Sequence, residues 1–335
     1  MAAITNRKVL RQTQGNPPLP TFSKGGLGGF LSQKGIALMM VLWVLTILMV
    51  IVLSFSFAAR TETHSTLIFK EGIENKFLAE AGLERGIMEI FYRRQNLNIE
   101  GSDIWAIDNK PYAVQLGEGN CTVKIADEAG KVDINATSDV ILKYLLMNLG
   151  VQGEKLDIIV DSIMDWKDTD DLHRLHGAES DYYMSLPNPY KAKNANFDTL
   201  EELLLIKGMT PEILYGDGGD KGAIAFLTVT SKRNTFNVNT APKEVLMALP
   251  DITSEIADGI ISYRENKRIT NFQEVGIPPQ SMQYLTIIEG NTYAIEAVGY
   301  KTDERKGHAI KAVVAIEGNN KYKYLYYKSP ANISR

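Results

Sequence analysis

From Ile36 to Ala59 the chain runs for 24 residues without a charge or a proline. At about 1.5 Å per residue a helix of that length reaches roughly 36 Å, enough to cross a hydrocarbon core of about 30 Å. A cleaved secretory signal would have a shorter apolar stretch followed by a small-x-small site. Ser56, Ala58 and Ala59 supply only a loose version of one. A plain membrane anchor fits the run, and so does a leader removed ahead of it, between Gly35 and Ile36. Residues 1–35 carry Arg7, Lys8, Arg11, Lys24 and Lys34 and no acid. The positive-inside rule therefore places the N-terminus in the cytoplasm and the body of the chain outside.

The helical pattern does not stop at Ala59. Residues 60–94 contain no proline, and Ile73, Phe77 and Ala81, then Leu83, Ile87, Ile90 and Phe91, recur at three- and four-residue spacing. This predicts an amphipathic helix continuing the apolar one, weakened by Gly72, Gly82 and Gly86. A helix over 36–94 would be on the order of 90 Å long, more than an anchor needs.

Beyond the stalk the periodicity changes. "PYAVQLGEGNCTVKIA" alternates on both sides of a Gly-Glu-Gly-Asn turn and predicts a β-hairpin over 111–126, with the one cysteine, Cys121, facing the core as inert packing. "TYAIEAVGY", "HAIKAVVAIEG" and "KYKYLYYK" alternate too, parted by polar turns at 301–307 and 318–320. They predict three antiparallel strands. The strands are split in sequence, so the segment from about 134 to 290 reads as an insertion.

That insertion is helical and weakly self-similar. "VDINATSDVILKYLLMNLG" from Val132 and "FNVNTAPKEVLMALPD" from Phe236 each open on an asparagine, Asn135 or Asn239, placed as an N-cap or turn residue. "FDTLEELLLIKGMTPEIL" offers a third helix-turn-helix, with Asp198 or Thr199 capping and Gly208 at the helix end. Helix-hairpin-helix units bind DNA phosphates through glycine-rich turns, but the turn "LPDITSEIA" has Asp251 where a glycine is wanted. Without residues 1–35 the remaining 31 basic residues face 40 acidic ones, a balance that repels nucleic acid. The hairpins read as protein-packing units.

The densest polar stretch is "DWKDTDDLHRLHGAESDYY", with Asp165, Asp168, Asp170, Asp171, Glu179 and Asp181. Carboxylates spaced around a glycine-containing loop suit a hard cation such as calcium. Asp168, Asp170 and Glu179 fit positions 1, 3 and 12 of an EF-hand, but Leu172 and His173 occupy positions where an oxygen ligand and a glycine are required. A solvated acidic loop and a zinc site at His173 and His176 are the competing readings. Further ligands could come from Asp161 or Asp198. The four histidines form no legible catalytic arrangement, and no phosphate-binding loop or HExxH is present. No enzymatic activity is expected.

"KG" followed by "IALMMVLWVL" resembles the prepilin peptidase site of type IV pilins and type II secretion pseudopilins. Most such proteins carry glutamate five residues after the cut. Here that position is Met40, which, together with the helical insert, "GAESDYY" and "NPYKAKNANFDTLEELLLIKG", resembles the minor pseudopilin family of general secretion pathway protein K.

The resemblance implies an α+β pseudopilin fold. A long N-terminal transmembrane helix packs on an antiparallel sheet interrupted by a large helical domain of helix-hairpin-helix, SAM-like type. The implied parts are a leader at 1–35, a membrane and stalk helix at 36–94, a first pseudopilin segment at 95–133, the insert at 134–290 and closing strands at 291–335. It implies cleavage after Gly35, N-methylation of Ile36 and a subunit at the filament tip. A glutamate inside lipid is costly unless paired. In the family it meets the N-terminal ammonium of the neighbouring subunit, so a subunit with nothing ahead of it can carry Met40. The implied partners are the I- and J-type minor pseudopilins, the major pseudopilin, the inner-membrane assembly platform and the prepilin peptidase, with the body in the periplasm and no nucleic acid. Calcium in the helical domain is implied as well. Two alternatives share parts of this pattern: a minor pilin of a type IV pilus, and a membrane-anchored helix-hairpin-helix DNA receptor.

Overall fold

A computed structural model describes residues 33–96, 104–217, 219, 221–318 and 321–332. The first 32 residues of the expected leader lie outside them. The chain divides after Thr66 into two units. Helix α1 (Gln33–Gln95) begins in the first and ends in the second.

In the first unit the side chains of α1 from Ile36 onward are exposed. The hydroxyl of Thr46, inside the apolar run, donates to the carbonyl of Trp43 at 2.7 Å. It thereby needs no water partner, which is what a hydrocarbon environment requires.

The second unit contains two cores. One forms between α1 and a five-stranded antiparallel sheet of β1 (Tyr112–Leu116), β2 (Gly119–Asp127), β7 (Thr292–Tyr300), β8 (His308–Ile316) and β9 (Tyr322–Lys328), in that order across the sheet. Strands β1 (Tyr112–Leu116) and β2 (Gly119–Asp127) make the hairpin, turning at Gly117 with φ +63°. Left-handed backbone there favours glycine. Cys121 is buried, and burial pushes its thiol up to about 12, so it is unreactive packing. The face of α1 that meets the sheet carries Ala79, Leu83, Ile87 and Ile90. Ile73, Phe77 and Ala81 point to solvent, so the first half of the expected apolar stripe is not the packing face. Gly82 and Gly86 explain the difference. A Cβ on Gly82 would strike the Cys121 sulfur, and one on Gly86 would crowd Val123 and Ile295. The glycines that weaken the helix locally are what lets it approach the sheet.

At Asp127 the chain leaves the sheet, and at Thr292 it returns to pair with β2. Between them lie β3 (Val132–Asp133), α2 (Asp139–Asn148), α3 (Glu154–Lys167), α4 (Ser180–Met184), α5 (Pro211–Tyr215) and β4 (Leu227–Thr228). There follow β5 (Phe236–Asn237), α6 (Lys243–Leu246), α7 (Ser254–Asn266), α8 (Pro279–Met282) and β6 (Leu285–Thr286). Strand β3 pairs in parallel with β4, and β5 with β6, so each pair closes one module of a second core.

The modules repeat in detail. The Asn135 side chain receives the Phe197 N–H at 2.8 Å and donates to the Phe197 carbonyl at 3.0 Å. Asn239 does the same with Ile269, at 2.8 and 3.0 Å. The Lys167 ammonium donates to the carbonyls of Ile134 and Thr137, and the Arg264 guanidinium donates to those of Val238 and Ala241. The two asparagines are therefore turn residues, while the cap of α2 is Ser138. The third hairpin opens with a short 3-10 turn over Leu200–Leu205, capped by Thr199 and Glu202.

The remaining strands, β7 (Thr292–Tyr300), β8 (His308–Ile316) and β9 (Tyr322–Lys328), complete the sheet. One buried carboxylate fastens the insert to it. Asp127 accepts from the Ala129 N–H at 2.9 Å, the Asn237 amide at 2.8 Å and the Gly290 N–H at 3.2 Å. It thereby joins the exit strand, the second module and the re-entry point.

Candidate metal centre and membrane segment

In the first module, residues 168–196 separate α3 from the Phe197 that binds Asn135, and the acidic loop lies in this span. Asp165 lies in the last turn of α3, Asp168 is its C-terminal cap, and Glu179 immediately precedes α4. A carboxylate oxygen from each comes within 4.8 Å of the others. Their surroundings differ from those of a solvated loop. Asp165 is wholly buried and accepts the Arg174 N–H at 3.2 and 3.1 Å. Glu179 is 1% exposed and neither of its oxygens has a partner. Asp168 Oδ1 is likewise buried and unpartnered.

Burial and the neighbouring Asp165 and Asp168 charges push the Glu179 carboxyl up to about 7. Burial raises Asp165 as well, and burial followed by Asp170 raises Asp168. The Arg174 guanidinium lies 3.7 Å from Asp165, but Glu179 and Asp168 Oδ1 have no partner, and carboxylates packed together in this way are costly as anions unless a further cation joins them. The donor set is all oxygen, which suits a hard divalent ion of the calcium class.

The loop between the ligands is held from two sides, by α3 and by Lys207. The N–H of His176 donates to Asp161 at 3.1 Å, and Lys207 donates to the carbonyl of Gly177 at 3.0 Å. Gly177 faces Asp165 so closely that a Cβ there would run into the carboxylate. Neither Gly177 nor Lys207 stands out in the sequence. Only the glycine's place between Asp165 and Glu179 hints at its part.

The other acidic residues lie outside the cluster. Asp170 is exposed and turns back to the N–H of Leu172, at 2.9 Å. Asp171 accepts from Asn194 at 3.0 Å, and Asp181 bonds the N–H of Tyr182 in the first turn of α4. Asp198 pairs with Lys193. His173 is exposed, with its ring at the Arg174 carbonyl, and the group of potential ligands among the described residues includes no histidine.

Asp251, at φ +58°, holds the left-handed position in its hairpin turn, as Gly150 does at φ +86° in the first module. A carboxylate thus stands where a phosphate-binding turn would present glycine.

One helix among the described residues, α1, is long and apolar enough to cross a membrane, and its candidate span begins at Ile36. Gly35 lies in its first turns, and Met40 is exposed on it.

The family described as "Type II secretion system (T2SS), protein K" matches residues 123–215 and, a second time, residues 236–281. The two matches fall one on each module. The chain is similar to the putative type II secretion system protein K of Escherichia coli (strain K12), 26% identical over 198 residues. That match covers 54% of this chain and 59% of the relative. It is similar as well to the type II secretion system protein K of Pectobacterium carotovorum, 23% identical over 273 residues, covering 74% of this chain and 82% of that one. Among solved structures, a chain of the GspK-GspI-GspJ complex from enterotoxigenic Escherichia coli shares the fold. Its TM-score is 0.58 at 15% identity, over 81% of this chain and 100% of that chain. With the interrupted antiparallel sheet, the N-terminal apolar helix and a family match on each half of the insert, the chain belongs to the type II secretion system protein K family of minor pseudopilins.

Proposed function

We infer that this protein is the tip subunit of a type II secretion pseudopilus, starting filament assembly and aiding protein export through the outer membrane. The observation that carries this reading is the insert between Asp127 and Thr292, which adds a second core to a sheet that is otherwise a filament subunit's head. A head enlarged in this way fits the end of a helical stack and not its interior. Met40 supports the same place, since a first subunit has no neighbouring ammonium to pair with a carboxylate.

Before assembly the subunit is held in the inner membrane by the run from Ile36, with its N-terminus cytoplasmic and its body periplasmic. The prepilin peptidase cuts after Gly35 and methylates Ile36. The assembly platform then lifts the helix into a bundle with the I- and J-type minor pseudopilins, and the major pseudopilin follows. The similar GspK-GspI-GspJ complex supports the choice of first partners.

Asp165, Asp168 and Glu179 would hold calcium. The ion would supply fixed positive charge that locks α3 to α4, and no reaction chemistry. The protein acts by shape and assembly, not as an enzyme.

Labelling the protein with gold on isolated pseudopili tests the reading. One label at a single end of each filament is expected, and labels spaced along the shafts would refute it. N-terminal sequencing of protein from cells with and without the peptidase tests the processing separately, with methylated Ile36 expected only where the peptidase is present.

A further inference from the structure

Where α1 ends, the re-entering chain and the second module line an open pocket of about 420 Å³. Ile269, Ile287, Ile288 and Tyr293 form apolar walls, and Arg94 and Arg268 line it as well. The two arginines are not equivalent. Arg268 donates to Glu289 at 2.6 Å and to the Ile287 carbonyl at 3.2 Å. Arg93, beside it, donates to the same Glu289 oxygen at 2.8 Å. Arg94 donates through Nη2 to the Asn291 amide oxygen at 2.9 Å, but its Nη1 is buried and has no partner. Arg93 Nε is in the same condition.

One carboxylate therefore answers two of the three guanidinium groups, and Arg94 meets only the neutral amide oxygen of Asn291. Burial alone would raise Glu289, yet the hydrogen bond and charge of Arg93, with those of Arg268, hold its carboxyl below the usual range. It is an anion already committed to two arginines. A buried guanidinium donor without an acceptor is costly, and the position beside Arg94 is where an acceptor would be held most strongly.

We propose that this pocket binds an acidic polypeptide segment, with one carboxylate pairing to Arg94 and an adjacent aliphatic side chain against Ile269, Ile287 and Tyr293. The apolar walls favour an amphipathic occupant over a bare inorganic ion. Glu289 disfavours a doubly charged phosphate next to it. Ile288 is 65% exposed, so the occupant arrives from another surface. The proposal is independent of the tip reading above, since it requires no filament.

The test uses the full chain in detergent micelles and two fluorescein-labelled tripeptides, Leu-Glu-Leu amide and Leu-Gln-Leu amide, followed by anisotropy. The glutamate peptide is expected to bind at least tenfold more tightly. Arg94→Gln is expected to remove that preference, and Ile288→Asp, at an exposed position that leaves folding intact, to weaken the glutamate peptide about tenfold. Equal binding of the two peptides, no binding of either, or a preference that survives both substitutions would overturn the proposal. So would inorganic phosphate that binds more tightly than the glutamate peptide and displaces it.

Discussion

Replacing Glu179 by glutamine removes one buried negative charge while keeping the side chain's shape. In the absence of a divalent cation, the folded protein has to bury this carboxyl beside Asp165 and Asp168, which pushes it up to about 7 from an ordinary 4.5. At about 1.4 kcal/mol per tenfold, holding it ionised costs the folded state roughly 3 kcal/mol above neutral pH. A carboxyl raised on folding binds more protons folded than unfolded. Stability in chelator therefore falls as pH rises from about 4.5 through about 7 and is flat beyond. Glu179→Gln lacks that loss. Urea unfolding at pH 8 in EGTA should find the variant more stable than the parent by up to about 3 kcal/mol, with the pH slope reduced. Calcium should reverse the order. The parent should gain stability as the ion fills the site, and the variant, lacking one ligand, should gain little. The reasoning fails if calcium stabilises the variant as much as the parent, or if the variant is the weaker of the two in EGTA.

Three further outcomes follow from the packing. Gly177→Ala drives a methyl into the Asp165 carboxylate. It should cost about 1–3 kcal/mol and abolish the calcium-dependent rise in melting temperature, which an alanine at exposed, helical Gly259, where a Cβ meets nothing, should leave unchanged. Asp127→Ala strands the Asn237 amide and the Ala129 and Gly290 N–H groups, so a loss of about 3–5 kcal/mol is expected. Because it unfastens insert from sheet, separate unfolding of the two cores should appear by hydrogen exchange, and one undivided transition would argue against the latch. Burial and the nearby Lys76 charge, opposed by Glu80, hold the His308 imidazole below its usual value, and its Nε2 meets the Ser329 hydroxyl at 2.7 Å. A lowered folded-state value means stability is lost as pH falls through about 6.5. His308→Gln should flatten that acid limb in a denaturation series from pH 8 to 5.

The similarity between the modules shows how little of such a repeat reaches the sequence. Asn135 and Asn239 are visible as equivalent residues, yet their role is to grip Phe197 and Ile269, each distant along the chain. Lys167 and Arg264 do the same work with different side chains, because two carbonyls accept from either cation. The acidic loop shows the same limit. Six carboxylates crowd it, and burial selects three, since Asp170, Asp171 and Asp181 are satisfied by local N–H or amide donors in solvent.

What the sequence determined by itself is whatever arises from neighbours along the chain. The apolar run from Ile36, the hairpin turning at Gly117 and the three closing strands each follow from a period of side chains and a turn residue. The tertiary structure alone decided the pairing of β2 with β7 across the insert and the choice of Asp165, Asp168 and Glu179. It also decided the approach of α1 through Gly82 and Gly86, and the unpartnered Nη1 of Arg94. The physical reason is that burial and desolvation act on groups brought together from distant segments, and no local pattern records which groups those will be.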